Sequence, residues 1–532
     1  MHKSNRNRLR GAVALIAVTC LAAPLAACTV SVEVPKPGTD MSKFLDEMTI
    51  PELQRAMDED KLDAVGLTQA YLDRIEELNP RLHAIVQTNP DALDLARESD
   101  ERRRSDESRG PLDGIPVLLK ENMDTADEQT TTAGSTALSG STPAQDAFLV
   151  QKLRDAGAII LGKTNLSEWS NFYSSRQIPG WSAIGGQTRN PYDLERNPCG
   201  SSSGAAVAAA TALATVTIGT DTDGSITCPA ASASTVGIKP TLGTVSRSGV
   251  IPITSKHDSP GPIARTVTDA AITLQVIAGV DDADGDSVDG GLPEDLDEML
   301  ELNALRGARI GVWREGHEGM DDEADDAFDM SVEVIRGMGA EVVEGADLAD
   351  IGSLLQTDLL PAVLTEFKHD LNGYLASTPG DHPRDLTELI AYNQENADIE
   401  LPRPLEQDYL LMADETDGDL DDPEYRAHRA RLTEWAQESV DDVLREHDLD
   451  AIITLSDLPA LPLEGGEHPP FQSSTRNTSV AGYPHITVPT GFTKSVLPLG
   501  ISFIGTRLSD ASLISYAYAY EQATGARRAP SL

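Results

Sequence analysis

Gly219-Thr-Asp-Thr-Asp-Gly-Ser-Ile-Thr-Cys228 is the stretch on which the reading of this chain turns. Ser225 follows a glycine there, so its hydroxyl can stand on a turn with no preceding side chain in the way. Upstream lies a second serine cluster, Cys199-Gly-Ser-Ser-Ser-Gly204, and Ala205 to Thr217 between them contains only Ala, Val, Leu and Thr. Further upstream, Gly114-Ile-Pro-Val-Leu-Leu-Lys120 is apolar and ends in a single lysine, a setting that buries an amine. Two serine-bearing Gly-rich turns and one buried lysine are the parts of a serine hydrolase that needs no histidine.

Each part has a chemical reason. Ser225 is the expected nucleophile, and the backbone N–H groups of Thr222, Asp223, Gly224 and Ser225 can converge on one point as an oxyanion hole. Lys120 is the expected base. A lysine amine has a reference pKa of about 10.4 and is a poor proton acceptor at neutral pH, but burial disfavours the ammonium and lowers that value. Lys163 and Lys239 are the rival lysines. Lys163 lies in Gly157-Ala-Ile-Ile-Leu-Gly-Lys-Thr164, which has the letters of a phosphate-binding loop. The apolar run from Ala158 to Leu161 reads instead as a strand, so both lysines are read as structural or ion-paired.

Alternation of helical and strand patterns predicts an α/β fold, one large domain with a mainly buried mixed β-sheet. Thr49-Ile-Pro-Glu-Leu-Gln opens a helix, and Leu67 to Leu78 has apolar residues three and four apart. Leu82 to Gln87 and Ile115 to Leu119 read as strands, and Asp91 to Arg104 as a helix. Phe148 to Ala156 followed by Ile159 to Leu161 is a helix-to-strand unit, and Thr268 to Gly279 is a buried helix. Asp281 to Glu298 is acidic; Asp282, Asp284 and Asp286 are spaced as in a calcium loop, but Ser287 and Pro293 stand where that loop needs glycine and glutamate, so a solvated loop is expected.

The segments Gly185-Gly-Gln-Thr-Arg-Asn-Pro191, Cys199 to Gly204 and Gly237-Ile-Lys-Pro-Thr241 together resemble the signature region of the amidase signature family. Asp113-Gly-Ile-Pro116 with Lys120, Gly162-Lys-Thr-Asn-Leu-Ser-Glu168, Ala481-Gly-Tyr-Pro484 and Gly500-Ile-Ser-Phe503 also match family patterns. The resemblance spans roughly residues 45 to 528 and is weakest between about 280 and 450. Cys-Gly-Ser-Ser-Ser-Gly and Thr-Asp-Gly-Ser are most similar to the peptide amidase-like branch. The resemblance implies a sheet covered by helices on both faces and no cofactor. It implies hydrolysis of a carboxamide to acid and ammonia or amine through a Ser225 acyl-enzyme, with Ser201 bridging Lys120 and Ser225 after a cis Gly200–Ser201 bond. Ser202 is implied to hydrogen-bond nearby, and Ser202 or Ser203 to cap the helix that follows. Asp221 is implied to stabilise the turn, and Thr131 and Thr132, with Gly134 and Ser135, to line the substrate site. Asp223 replaces a glycine frequent in the family and faces the acyl pocket or solvent. Arg265 and Asp258 are expected to form a structural ion pair. The variable middle region, roughly 290 to 450, is implied to shape the substrate funnel.

The composition sets further bounds. The chain has 532 residues and a net charge of −44, from 86 acidic and 42 basic residues. So negative a surface repels phosphates and speaks against nucleic-acid binding. Aromatics are 4% and alanine is abundant, so helices should pack closely through small side chains. Lys3, Arg6, Arg8 and Arg10 precede an apolar stretch and Leu25-Ala-Ala-Cys28, which resembles a bacterial lipobox. Residues 1–27 are read as a lipoprotein signal peptide, Cys28 as the lipidation site, 28–43 as a tether and 44–532 as the amidase domain. The protein is thus expected to be exported and lipid-anchored in the cell envelope. Cys199 and Cys228 are expected to be small apolar fillers rather than a bridge, and no metal spacing is found. Two alternatives stay open: a glutaminase-type component of a tRNA amidotransferase, and a catalytically silent binding lipoprotein.

Overall fold

The computed structural model describes residues 41–402, 405–463 and 474–532. The signal segment, Cys28 and residues 28–40 of the tether lie outside the described residues.

Thirteen strands are described in chain order. The first three are β1 (Ile85–Thr88), β2 (Pro116–Lys120) and β3 (Ile159–Thr164). A short antiparallel pair follows, β4 (Trp181–Ser182) and β5 (Gly186–Gln187). Then come β6 (Val216–Asp221), β7 (Val236–Lys239), β8 (Ser259–Ala264), β9 (Arg309–Val312) and β10 (Glu341–Glu344). The last are β11 (Ala451–Leu455), β12 (His485–Phe492) and β13 (Pro498–Ile504). Eleven of them form one mixed sheet in the order β1-β3-β2-β6-β8-β7-β12-β13-β11-β9-β10, flanked by helices. β2, β3, β6 and β11 are buried along their whole length, which is why they read as near-continuous apolar runs. β2 runs parallel to both β3 and β6, with Leu119 opposite Lys163 and Ile218, so the C-terminal ends of β2 and β6 lie side by side. Carboxyl ends of parallel strands are where α/β folds place ligands.

The predicted helices form with small shifts that have local causes. Ile50–Asp58 begins at a capping box in which Glu52 Oε2 accepts from Thr49 N at 2.9 Å. The strand expected from Leu82 starts only at Ile85. Helix Ala64–Leu82 runs on to that point, His83 ends it at φ 51°, and Asn79 Oδ1 takes the N–H groups of Ala84 and Ile85 at 2.8 Å each. Small side chains do bring helices close. Ala205, Ala206, Ala209 and Ala210 of helix Ser203–Ala210 share one buried cluster with Ala230 and Ala233 at helix Thr227–Ser232.

The acidic loop is largely solvated, as expected, with Asp284 the exception among its carboxylates. Asp284 is buried and pairs with Arg247, whose Nε donates to Asp284 Oδ2 at 2.8 Å, and Asp286 accepts from Lys256 Nζ at 3.1 Å. Asp284 answers a cation on the neighbouring Ser246–His257 segment rather than bulk water, while Asp286 pairs with that segment and stays partly exposed.

Candidate active site

Lys120 closes β2 with no exposed surface. Its Nζ lies 2.7 Å from Ser201 Oγ, 2.7 Å from Thr220 Oγ1 and 3.5 Å from the Thr220 carbonyl oxygen. Asn122 Nδ2 holds Thr220 Oγ1 from the other side at 3.2 Å. Burial among neutral partners pulls the amine down to a pKa of about 7, against the more distant pull of Asp221 and Asp258.

The two serine turns are tied to each other and to β6. The Gly200–Ser201 bond is cis, as the resemblance implied. Ser202 Oγ donates to the Thr220 carbonyl at 3.0 Å and accepts from Thr220 N at 3.2 Å, while Ser202 N donates to the Ser225 carbonyl at 3.1 Å. Ser203 Oγ donates to the Cys199 carbonyl at 2.5 Å. Neither hydroxyl caps helix Ser203–Ala210, contrary to expectation, because both are spent bracing the turns. Gly204 is required by close backbone approach: a Cβ there would lie 2.4 Å from the Ala84 carbonyl oxygen and 2.5 Å from that of Asn165.

Asp221 shapes the Ser225 turn from beneath. Its Oδ1 accepts from Gly224 N at 2.8 Å and its Oδ2 from Ile226 N at 2.6 Å; burial raises its pKa, with Lys239 opposing. The Gly224 N–H is therefore committed to Asp221, which corrects its assignment to the oxyanion hole. Thr222, Asp223 and Ser225 keep N–H groups with no hydrogen bond among the described residues. The Ser225 side chain is almost buried, yet it faces a cavity of about 680 Å³, and its hydroxyl has no partner among the described residues. The Lys120–Ser201 link is thus formed, while Ser225 stands open toward the space a substrate would fill. Catalytic hydrogen bonds commonly tighten only in the substrate complex.

Several expectations change. Cys199 and Cys228 form a disulfide, with Cα atoms 6.0 Å apart, rather than filling space as free thiols. The cause is the bracing of the turns by Ser202, which draws the residues flanking both serines into bridging range. Thr131 and Thr132 are fully buried and serve other groups: Thr132 Oγ1 donates to Glu121 Oε2 at 2.6 Å, and Thr131 Oγ1 accepts from Lys163 Nζ at 3.1 Å. Ser135 Oγ donates to Glu400 Oε2 at 3.0 Å. None of the three lines the cavity. Arg265 and Asp258 do not pair: Arg265 Nη1 donates to the Ala214 carbonyl at 2.8 Å, and Asp258 Oδ1 accepts from Thr222 Oγ1 at 2.6 Å. Lys163 and Lys239 are structural as expected, with Nζ atoms 2.7 Å from the Met123 and Tyr483 carbonyls respectively.

The cavity also has a mainly apolar lining drawn from the middle region, with Gln356 the exception. Leu355, Leu359, Leu360, Val363 and Tyr409 reach it from that side, beside Phe172. Asp223 lines it in an ion pair with Arg476, whose Nε lies 2.7 Å from Asp223 Oδ2. Asp457 lines it too, and burial raises its carboxyl to a pKa of about 7. Sequence reasoning missed Thr220 and Asp457. The first could have been found from its place beside Lys120 at the end of a neighbouring strand; the second carries no local signal.

The family model described as Amidase matches residues 66–514. The chain belongs to the amidase family. The amidase is 40% identical over 495 residues, 91% of this chain and 92% of the relative, to a protein of Arabidopsis thaliana named as an amidase. It is 34% identical to a Glutamyl-tRNA(Gln) amidotransferase component of Myxococcus xanthus, over 90% of this chain and 97% of the relative. Among solved structures, the peptide amidase of Stenotrophomonas maltophilia superposes with a TM-score of 0.85 at 45% identity, covering 91% of this chain and 98% of the other. The fold and the hydrolysis of amides follow from this membership.

Proposed function

We propose that this amidase releases ammonia from the terminal carboxamide of peptide-like substrates carrying an apolar residue, with Ser225 as nucleophile, Ser201 as bridge and neutral Lys120 as base. The observation that carries the reading is the Lys120–Ser201 contact at 2.7 Å in a site where the amine touches hydroxyls and a carbonyl but no carboxylate among the described residues. A neutral amine has two N–H bonds and one lone pair. Here both N–H bonds can be given to Thr220, which leaves the lone pair for the Ser201 proton. Ser201 then takes the proton of Ser225 as Ser225 Oγ attacks the carbonyl carbon. The free N–H groups of Thr222, Asp223 and Ser225 hold the oxyanion. The relay run backwards protonates the leaving nitrogen, ammonia departs, and water cleaves the Ser225 acyl-enzyme by the same path. The apolar wall supports an apolar side chain next to the carboxamide, and the likeness to the Stenotrophomonas maltophilia peptide amidase supports a peptide backbone beyond it.

We further infer export and lipid anchoring at Cys28, on the strength of the basic residues, the apolar stretch and the Leu25-Ala-Ala-Cys28 motif. No helix among the described residues is long and apolar enough to cross a membrane. Cys28→Ala should release the protein from the membrane fraction; unchanged fractionation would refute the anchor.

The catalytic reading is tested by ammonia release from a peptide amide, an aliphatic amide, an aryl amide and glutamine, using protein lacking residues 1–28 beside Ser225→Ala. Turnover fastest on the peptide amide and abolished by the substitution is expected. Turnover on glutamine alone would favour the glutaminase alternative, and a folded protein inert on all four would favour a silent binder.

A further inference from the structure

The cavity wall holds two carboxylates in different states. Asp223 is neutralised by Arg476 and also accepts from Thr475 Oγ1 at 3.4 Å. Asp457 has no such cation among the described residues. Its Oδ1 is fixed by the Leu458 N–H at 2.8 Å. Among the described residues its Oδ2 meets only the sulfur atoms of the Cys199–Cys228 disulfide, which have no proton to donate. No nitrogen or hydroxyl among the described residues donates to that oxygen. Asp457 is partly buried, and a carboxyl oxygen on a cavity wall that no protein group answers is one that a ligand's N–H can answer. A second polar atom on the same wall is also unanswered: Thr227 Oγ1, next to Cys228 and two residues after Ser225, is buried without a partner. An acceptor and a hydroxyl on the wall that also carries Ser225 are thus both without a partner among the described residues.

We propose that Asp457 Oδ2 is a specificity-determining acceptor that takes a hydrogen bond from the backbone N–H on the carbon next to the scissile carboxamide. This rests on the peptide-amide reading and deepens it. The oxyanion donors hold the carbonyl oxygen, the apolar wall holds the side chain, and Asp457 holds the one substituent that separates an acylated amino acid amide from a plain aliphatic amide. The oxygen is aimed by two constraints, the Leu458 N–H on one side of the carboxyl and the disulfide on the other.

The test compares kcat/KM for N-acetylphenylalaninamide and 3-phenylpropionamide, which share the aromatic side chain and the carboxamide but differ in the acetamido group that carries that N–H; the Asp457 variants separate the N–H from the rest of that group. A site built around an acceptor rejects the analogue lacking the donor. The wild type should prefer the acylated amino acid amide by about 10- to 100-fold. Asp457→Asn keeps the volume: its carboxamide oxygen stays with the Leu458 N–H, and its amino group turns to the cavity, replacing an acceptor by a donor. The preference should fall to about 3-fold or less in that variant and in Asp457→Ala, with the larger loss falling on N-acetylphenylalaninamide. A structural role would lower both substrates together. A wild type that discriminates while both variants keep its ratio overturns the inference alone. A wild type that treats the two amides equally overturns the peptide-amide reading and the inference with it.

Discussion

Lys120 and Lys163 stand on adjacent parallel strands, and both are completely buried, yet the two surroundings fit them for opposite work. Leu119 is the residue opposite Lys163, so by strand alternation the two amines leave the sheet on opposite faces. Lys120 enters a pocket of hydroxyls, Ser201 and Thr220. Lys163 meets the Met123 and Thr130 carbonyls and the Thr131 hydroxyl under the field of three carboxylates, with Glu121 foremost. Burial lowers both pKa values. Around Lys163 the carboxylates of Glu121, Asp124 and Asp127 pull back toward the ammonium; around Lys120 the balance settles at about 7. Burial alone does not make a base. A base also needs neighbours that can hold a neutral amine.

The comparison can be broken by substitution. Ser225→Ala should have the largest effect, a loss of about 10⁴- to 10⁶-fold in kcat with unchanged folding, read by ammonia release. Lys120→Met should cost about 10³-fold or more in kcat at little cost in stability, since it exchanges a desolvated amine for an apolar chain of similar length. Lys163→Met should do the reverse. It leaves Glu121 buried without a cation and should lower stability by about 3–5 kcal/mol in urea unfolding, while activity per folded molecule stays within a few-fold. If the two variants lost activity alike, the distinction between the pockets would fail. Replacing both Cys199 and Cys228 by serine opens a loop spanning a separation of 29 residues and should cost about 3–4 kcal/mol, seen as a lower unfolding midpoint under non-reducing conditions.

What was legible in the sequence was whatever the local pattern had to encode. Apolar runs set the inner strands, the Thr49–Glu52 spacing set a helix start, and Gly-Ser turns marked Ser201 and Ser225. What was not legible depends on contacts across the chain. The disulfide exists because Ser202 joins two turns through β6. The Gly224 N–H is lost to the oxyanion because Asp221 curls under its own turn. Thr131 and Thr132 lie close to Lys120 in sequence, but Glu121 and Lys163 recruit them to the buried cluster. Asp457 reaches the site from a sequence separation of 229 residues to Cys228, with nothing beside it to mark it. The expectation that the middle region supplies the substrate wall agrees with the positions of Leu355, Leu359, Leu360, Val363 and Tyr409.

The most direct test of the central claim is the pH dependence of kcat/KM on 3-phenylpropionamide, a neutral amide without the N–H proposed to meet Asp457, so that Asp457, whose pKa also lies at about 7, is not read in place of Lys120. The base must be unprotonated to act, and burial sets the Lys120 pKa at about 7. The rate should therefore be level above that value and fall about tenfold for each pH unit below it, as the inactive ammonium fills. A profile that stays flat from about pH 5.5 to 9, or one that keeps rising toward the ordinary lysine value of about 10.4, would contradict the assignment of Lys120 as the neutral base.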